Sequence, residues 1–258
     1  VPAGAMASGR FLCKADGVVC GLWVCELVFS QLSPDIRFQP LVEEASPVTR
    51  GQDLAVVTGP ARAILAGERV ALNFLQRLSG IATMARQAAS AVEGTKTRVL
   101  DTRKTTPGLR ILEKWAVRAG GASNHRFGLF DMVLIKDNHI LLAGGIGAAI
   151  AAARRNTSPM VKIEVECADL KQVREALKAG ADVIMLDNMD VTAMSRAVAL
   201  INGRALVEAS GGITVSALPE VAKTGVDFAS MGALTHSYRS LDISLELQPL
   251  GATPPARG

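Results

Sequence analysis

From Arg98 to Gly232 the chain repeats one pattern, and that pattern sets the fold class. A short apolar run is followed by polar residues, then by a stretch whose apolar positions recur at helical spacing. The apolar runs are Val99-Leu100, Met132 to Ile135, Val161 to Val165, Val183 to Leu186, Leu206-Val207 and Val226 to Ala229, with a shorter one at Gly121 to Asn124. Most are near-continuously apolar rather than alternating, as parallel strands covered on both faces tend to be. Helices are expected at Gly108 to Arg118, Ile146 to Arg155, Asp169 to Lys178, Val191 to Leu200 and Val215 to Lys223. Asp169 reads as an N-cap, and Gly180 and Gly225 as stops. Runs about 20 to 30 residues apart have the rhythm of βα units, and about seven of them predict a barrel rather than an open sheet.

The first part of the chain reads differently. From Arg10 to about Gly59, short apolar runs alternate with turn residues: Gly17 to Val19, Trp23 to Phe29, Phe38 to Val42 and Leu54 to Val57. Ser46 to Val57 (SPVTRGQDLAVV) reads as strand, glycine turn, strand, like half of a lipoyl or biotinyl domain, but no lysine sits at the tip to carry a cofactor. Ala61 to Val92 is expected to form two helices, broken at Gly80, with Gly94 ending the second.

Composition narrows the class further. With 49% hydrophobic and 20% charged residues, the chain has the apolar content a packed core needs and is not a disordered segment. The four cysteines, at 13, 20, 25 and 167, have no metal-ligand spacing and read as buried reduced thiols. The longest apolar run, Ile140 to Ala153, is interrupted by glycines and is shorter than the roughly 20 residues that span a bilayer. The expected setting is cytoplasmic, without membrane or nucleic-acid partners. The net charge of +4 is too small to argue for nucleic acid by itself.

Where the charges fall is more telling than their sum. Val99-Leu100 runs into Asp101-Thr102-Arg103-Lys104, and the short run at Asn124 into His125-Arg126. Ile135 is followed by Lys136-Asp137-Asn138-His139, Val165 by Glu166, and Leu186 by Asp187-Asn188. The last two runs lead into Glu208-Ala209-Ser210-Gly211-Gly212 and Ser230-Met231-Gly232. In a βα barrel the C-terminal strand ends share one mouth, where such enzymes place their sites. Ser210, Gly211, Gly212 and Gly232 fall in the last two loops, the usual phosphate position, with His236 either a further contributor or a packing residue. Glu166 and Asp187 suit Mg²⁺ carried with a polyphosphate, general acid–base work, or salt bridges to Lys104 and Lys136. Arg103, Lys104, His125, Arg126 and Lys136 together call for an anion with more than one acidic group, since Arg grips carboxylate in a bidentate fork.

These motifs resemble the quinolinate phosphoribosyltransferase family. The matching stretches run in order along nearly the whole chain: Glu68 to Asn73 (ERVALN), Leu78 to Ala82 (LSGIA), Asp101 to Gly108 (DTRKTTPG), Asn124 to Arg126, Leu134 to His139 (LIKDNH), Val165-Glu166, Leu186 to Asn188, Val207 to Ile213 (VEASGGI) and Ser230 to Thr235 (SMGALT). The resemblance implies a pentosyltransferase of NAD biosynthesis. It makes nicotinate mononucleotide, CO₂ and pyrophosphate from quinolinate and phosphoribosyl pyrophosphate (PRPP) with Mg²⁺. It implies that Arg103, His125, Arg126 and Lys136 hold quinolinate, and that Lys104, Glu166 and Asp187 are catalytic around the ribose, pyrophosphate and metal, with Asp137 near them. It implies a 5′-phosphate pocket at Ser210, Gly211, Gly212, Gly232 and His236. It implies a homodimer, alone or assembled into a hexamer, whose sites are completed by an arginine of the neighbour, matched here by Arg77. The implied fold is an N-terminal α/β sandwich (residues 1–80, joined by 236–258) and an incomplete seven-stranded α/β, TIM-like barrel (residues 81–235).

Two departures stand out. The family usually carries a further, partly acidic stretch ahead of the position of Val1, which puts a first helix and some dimer contacts in doubt. It also tends to have Asp-Gly where this chain has Glu44-Ala45-Ser46, a change expected to alter only a surface loop. Competing readings are a transferase that takes nicotinate, a Schiff-base aldolase using Lys136, and a non-enzymatic module on residues 10 to 60.

Overall fold

The computed structural model describes residues 1–250. The chain opens with β1 (Met6–Cys13), β2 (Gly17–Val18), α1 (Leu22–Ser30), β3 (Arg37–Pro40), β4 (Pro47–Val48), β5 (Asp53–Pro60) and α2 (Ala61–Ala91). It continues through β6 (Arg98–Leu100), α3 (Arg110–Ala119), β7 (Val133–Ile135), α4 (Asp137–Ala143), α5 (Ile146–Asn156), β8 (Ile163–Cys167) and α6 (Leu170–Lys178). It ends with β9 (Val183–Asp187), α7 (Val191–Ile201), β10 (Leu206–Ser210), α8 (Leu218–Lys223), β11 (Phe228–Ser230), α9 (Ala233–His236) and β12 (Ile243–Pro249).

These elements form two compact units. One comprises residues 1–86, 111–121 and the segment from Tyr238; the other comprises 87–110 and 122–237. In the first unit an antiparallel sheet runs β12-β1-β5-β3. Phe11 lies at its centre, paired in register with Ala55 on one side and Leu245 on the other. Leu22, Cys25 and Phe29 of α1 and Ile64, Ala71, Leu72 and Leu75 of α2 join Phe11, Leu54 and Val57 in one buried core. That is a helix-on-sheet sandwich. Residues 251–258 of the expected returning segment lie outside the described residues.

Three local readings are corrected. Trp23 to Phe29 is not a strand but most of α1; its buried Leu22, Cys25 and Phe29 fall at helical spacing, which a short apolar run hides. The strand of β4 pairs with β2 and not with β5 across the Gly51 turn. Ala61 to Ala91 is one 31-residue helix that passes straight through Gly80. A Cβ on Gly80 would stand 2.3 Å from the Arg239 carbonyl oxygen. Glycine there admits the returning chain, and this packing offsets the roughly 1 kcal/mol that glycine costs a helix.

The Glu44-Ala45 turn also does more than line the surface. Both carboxylate oxygens of Glu44 accept backbone N–H groups at the start of α1, from Gly21 at 2.5 Å and Leu22 at 3.1 Å. These are N-terminal amides with no partner inside the helix. Burial holds the Glu44 carboxyl above the usual range, against these hydrogen bonds. Ala45 sits at φ 65°, a left-handed conformation that suits glycine. Ala45→Gly is therefore expected to stabilise the chain by about 1 kcal/mol and to raise Tm by about 2–4 °C in a thermal melt.

The second unit is a parallel sheet in the order β6-β11-β10-β9-β8-β7. Ser123 adds a parallel bridge to Leu100 outside β6, which makes the seventh, rudimentary strand. The unit is an incomplete, TIM-like α/β barrel. Registers such as Ser210↔Asp187 and Leu134↔Glu164 fix which residues stand side by side. Since alternate residues share a face, Glu166, Asp187 and Ser210 continue the face that carries Glu164, Met185 and Glu208. Asp169 and Asp190 cap α6 and α7 by accepting from Gln172 and Ala193 amides, so the strand-to-helix turns are fixed by side chains. All four cysteines are free and buried, as expected. Burial pushes the Cys25 and Cys167 thiols up to about 12, which keeps them inert. No helix among the described residues is long and apolar enough to cross a membrane.

Candidate active site

Polar residues stand at the C-terminal ends of the barrel strands, and several are linked to a neighbouring strand end. Lys136 follows β7 and occupies the N-cap position of α4, a helix absent from the sequence-based reading. Its Nζ lies 2.5 Å from Glu166 Oε2 at the end of β8. One of the alternatives for Glu166, a salt bridge to Lys136, is thus present. At the end of β9, Asn188 Nδ2 donates to Asp187 Oδ2 at 2.7 Å, and the Asn188 amide donates to the Ser210 carbonyl at 2.9 Å. Asn188 itself takes a positive φ of 52°. It was not singled out as a site residue, yet it ties Asp187 to the SGG turn.

Gly211 explains why that turn is glycine-rich. Its φ is 99°, and an added Cβ would stand 2.2 Å from Asn188 Oδ1. Gly211→Ala is expected to push Asn188 off Asp187 and to cut kcat/KM by about 100-fold, the scale of a 1 Å misplacement near the chemistry. Steady-state kinetics beside a thermal melt checks this. A Cβ on Gly232 would stand 3.0 Å from both Lys104 Cδ and His236 Nε2, so both basic side chains flank this glycine. The Thr235 hydroxyl donates to the Lys104 carbonyl at 2.8 Å and holds that loop in place.

Arg103 lies near enough to Arg126 for their charges to interact. Burial, and then the charge of Arg103, lower the pKa of Arg126. Arg126 Nη1 donates to the Met132 carbonyl at 3.1 Å. Asp101, fully buried, accepts from Asn124 Nδ2 and from the His125 amide, each at 2.7 Å.

His125 is placed otherwise than the strand-end pattern suggests. Its Nε2 points into the barrel, 3.1 Å from Glu164 Oε2 and 3.4 Å from Glu208 Oε2. Its Nδ1 accepts the Arg126 amide at 2.7 Å. Burial lowers the imidazole pKa, but Glu164 and then Glu208 outweigh it and raise it; with Nδ1 accepting an amide, the ring proton sits on Nε2, toward the carboxylates. Glu164 is pushed up to about 7, first by burial and also by Glu208. The direction is the same for both: the folded cluster holds protons more tightly than its separated members. Sequence reasoning gives Glu208 a place at a strand end but no role, and passes over Glu164; the available signal is a glutamate within the apolar stretch Ile163 to Val165, two residues before Glu166.

Two further expected residues have partners in their own chain. Asp137 is in the first turn of α4, its Oδ1 accepting the Asn138 amide at 2.7 Å. The Arg77 guanidinium pairs with the fully buried Glu113 of α3 and lies 5.1 Å from the centroid of the Tyr238 ring. A buried glutamate needs such a countercharge, so Arg77 has a structural role within its own chain.

For Mg²⁺, the donor chemistry of Glu166 and Asp187 fits. These are hard oxygen ligands, and Mg²⁺ commonly takes one or two carboxylates with the rest of its shell from phosphate and water. The tightest potential ligand group among the described residues is a different one, His125, Glu164 and Glu208, whose ligand atoms lie within 4.8 Å of one another.

An incomplete α/β barrel with paired arginines, carboxylates and glycine-rich loops at one mouth defines an enzyme class, one acting on phosphorylated, multiply charged small molecules. Residues 1–79 match the N-terminal domain and residues 81–246 the C-terminal domain of quinolinate phosphoribosyl transferase. The chain belongs to the quinolinate phosphoribosyltransferase family. It is 47% identical over 238 residues to a probable nicotinate-nucleotide pyrophosphorylase [carboxylating] of Bacillus subtilis, covering 92% of this chain and 82% of the relative. It is 42% identical over 265 residues to quinolinate phosphoribosyltransferase [decarboxylating] 2, mitochondrial, of Nicotiana glauca, covering 96% and 75%. The nicotinate-nucleotide pyrophosphorylase structure from Francisella tularensis superposes with a TM-score of 0.91 at 39% identity, covering 94% of this chain and 86% of that one.

Proposed function

We propose that this chain transfers the phosphoribosyl group of PRPP to the ring nitrogen of quinolinate and releases pyrophosphate and CO₂. The observation that carries this reading is the charged strand ends at the mouth: the Lys136–Glu166 pair and Asp187 tied through Asn188 to the SGG turn, with Arg103 close enough to act on the charge of Arg126. A substrate with two carboxylates suits two neighbouring guanidiniums. In this reading Arg103, Arg126 and Lys136 orient quinolinate. His125 acts from beneath them, through Arg126.

Lys104, Ser210, Gly211, Gly212, Gly232 and His236 bind the phosphates of PRPP. Glu166 and Asp187 offer negative potential to the sugar as its C1 loses pyrophosphate and gains positive charge. The ring nitrogen then bonds to C1. The resulting pyridinium stabilises the electron pair left at C2 when the adjacent carboxylate departs as CO₂, and C2 then takes a proton from water to give nicotinate mononucleotide. Mg²⁺, held by Glu166, Asp187 and the phosphates, would offset charge on the leaving pyrophosphate. Lys136 is ion-paired rather than set in the apolar pocket a Schiff-base lysine needs, which argues against the aldolase reading. The same proposal extends to a cytoplasmic homodimer; Leu65 and Val70, both more than 40% exposed on α2, offer it apolar surface.

Assaying quinolinate against nicotinate, with CO₂ collected, tests the substrate. Nucleotide and CO₂ in equal amounts from quinolinate alone is the expected result. Activity with nicotinate and no CO₂ release would overturn it.

A further inference from the structure

Two carboxylates occupy a barrel interior that apolar side chains usually fill. Glu164 stands two residues before Glu166 on β8, and Glu208 two before Ser210 on β10, so both share the face of the mouth residues. Both are buried; Oε1 of each has no hydrogen-bond partner among the described residues, and Glu164 Oε2 meets His125 at ion-pair distance without hydrogen-bond geometry. Buried carboxylate oxygens left so poorly satisfied cost stability. Their position therefore calls for another explanation.

What they touch supplies one. The segment that carries His125 and Arg126 has little backbone support. It meets the sheet through the single bridge of Ser123 to Leu100, whereas β9 and β10 share a five-residue register. Side chains hold it instead. Arg98 Nη2 donates to Ser123 Oγ at 2.7 Å, and Asp101 accepts from Asn124 and from the His125 amide. Beyond that point the Arg126 amide rests on Nδ1 of the His125 ring, and the opposite side of the ring rests on Glu164 and Glu208. With the ring gripped at both nitrogens, the arginine that follows has a fixed starting point. A carboxylate clamp works only if its fork is held in place.

We propose that Glu164 and Glu208 are positioning residues for recognition of the pyridine dicarboxylate, acting through His125 on Arg126. The inference rests on the reading of Arg126 as a carboxylate contact.

Glu164→Gln and Glu208→Gln, each made in the full chain and again in an Arg126→Gln background, test it. Glutamine keeps the size and removes the charge. Each single variant is expected to raise KM for quinolinate about tenfold, the scale of one charge-assisted hydrogen bond, and to change KM for PRPP less than about twofold. Tm is expected to hold or rise, because a poorly satisfied buried charge has gone. In the Arg126→Gln background either glutamine should add less than about twofold, since the path through Arg126 is already cut. A fall in Tm with equal losses for both substrates would show a purely structural role and overturn the proposal. So would an undiminished effect in the Arg126→Gln background. If Arg126→Gln alone leaves KM for quinolinate unchanged, the reading of Arg126 fails first, and the proposal with it. Should Glu164→Gln not fold, Glu208→Gln decides the matter by the same outcomes, because its carboxylate meets the same ring nitrogen at 3.4 Å.

Discussion

Lys136→Ala is expected to lower kcat/KM by about 1,000-fold and to leave the thermal melt almost unchanged. The lysine follows β7, occupies the N-cap position of α4 and holds its Nζ against Glu166, with nearly half of its side chain exposed. An ion pair that open to water stabilises the fold by at most about 1 kcal/mol. Its electrostatic value lies in the bound complex, where substrate excludes water and a fixed positive charge acts at low dielectric. Removal should therefore raise KM for quinolinate and also depress kcat, because the positions of Glu166 and of the pyridine ring both depend on it. Lys136→Arg should recover only part of the loss, since a planar fork does not reproduce a compact ammonium. A variant that retains full turnover would remove Lys136 from the site. Borohydride trapping of Lys136 with a sugar phosphate would return the aldolase reading.

The barrel was legible because its strands are buried on both faces and read as apolar runs, and because their ends share one mouth. That placed Lys136, Glu166, Asp187 and the SGG turn together from spacing alone. The interior below the mouth was harder to read. Glu164 and Glu208 look like irregularities in apolar runs until the register puts them on the face of Glu166 and Ser210. His125 was legible as a polar strand end, but its direction was not: a ring can swing toward the mouth or the core, and buried carboxylates on other strands decide which. In the first unit, Trp23 to Phe29 resembles a strand because so short an apolar run carries too little periodicity. Gly80 resembles a break because the close approach of Arg239 comes from a distant part of the chain.

Arg77→Ala should destabilise the protein by about 3–5 kcal/mol, the largest loss expected for any single change here. Glu113 is fully buried, and the Arg77 guanidinium that meets it also faces the Tyr238 ring. Three stretches far apart in sequence, α2, α3 and the returning segment, meet on that one side chain. Deleting it removes the compensation for a charge already taken out of water, and a drop in Tm of about 10 °C is the scale for a chain of this size. Arg77→Met combined with Glu113→Leu should recover most of the stability, because apolar replacement of a whole buried pair costs little. The role that the family resemblance implied, an arginine lent to the neighbouring subunit, leads to the opposite pattern. Arg77→Ala would then melt normally and lose turnover, and mixing it with Lys136→Ala subunits would restore activity in hybrid dimers. Measured together, the melt and the mixing experiment separate the two roles, and the pairing with Glu113 predicts a lowered melt without complementation.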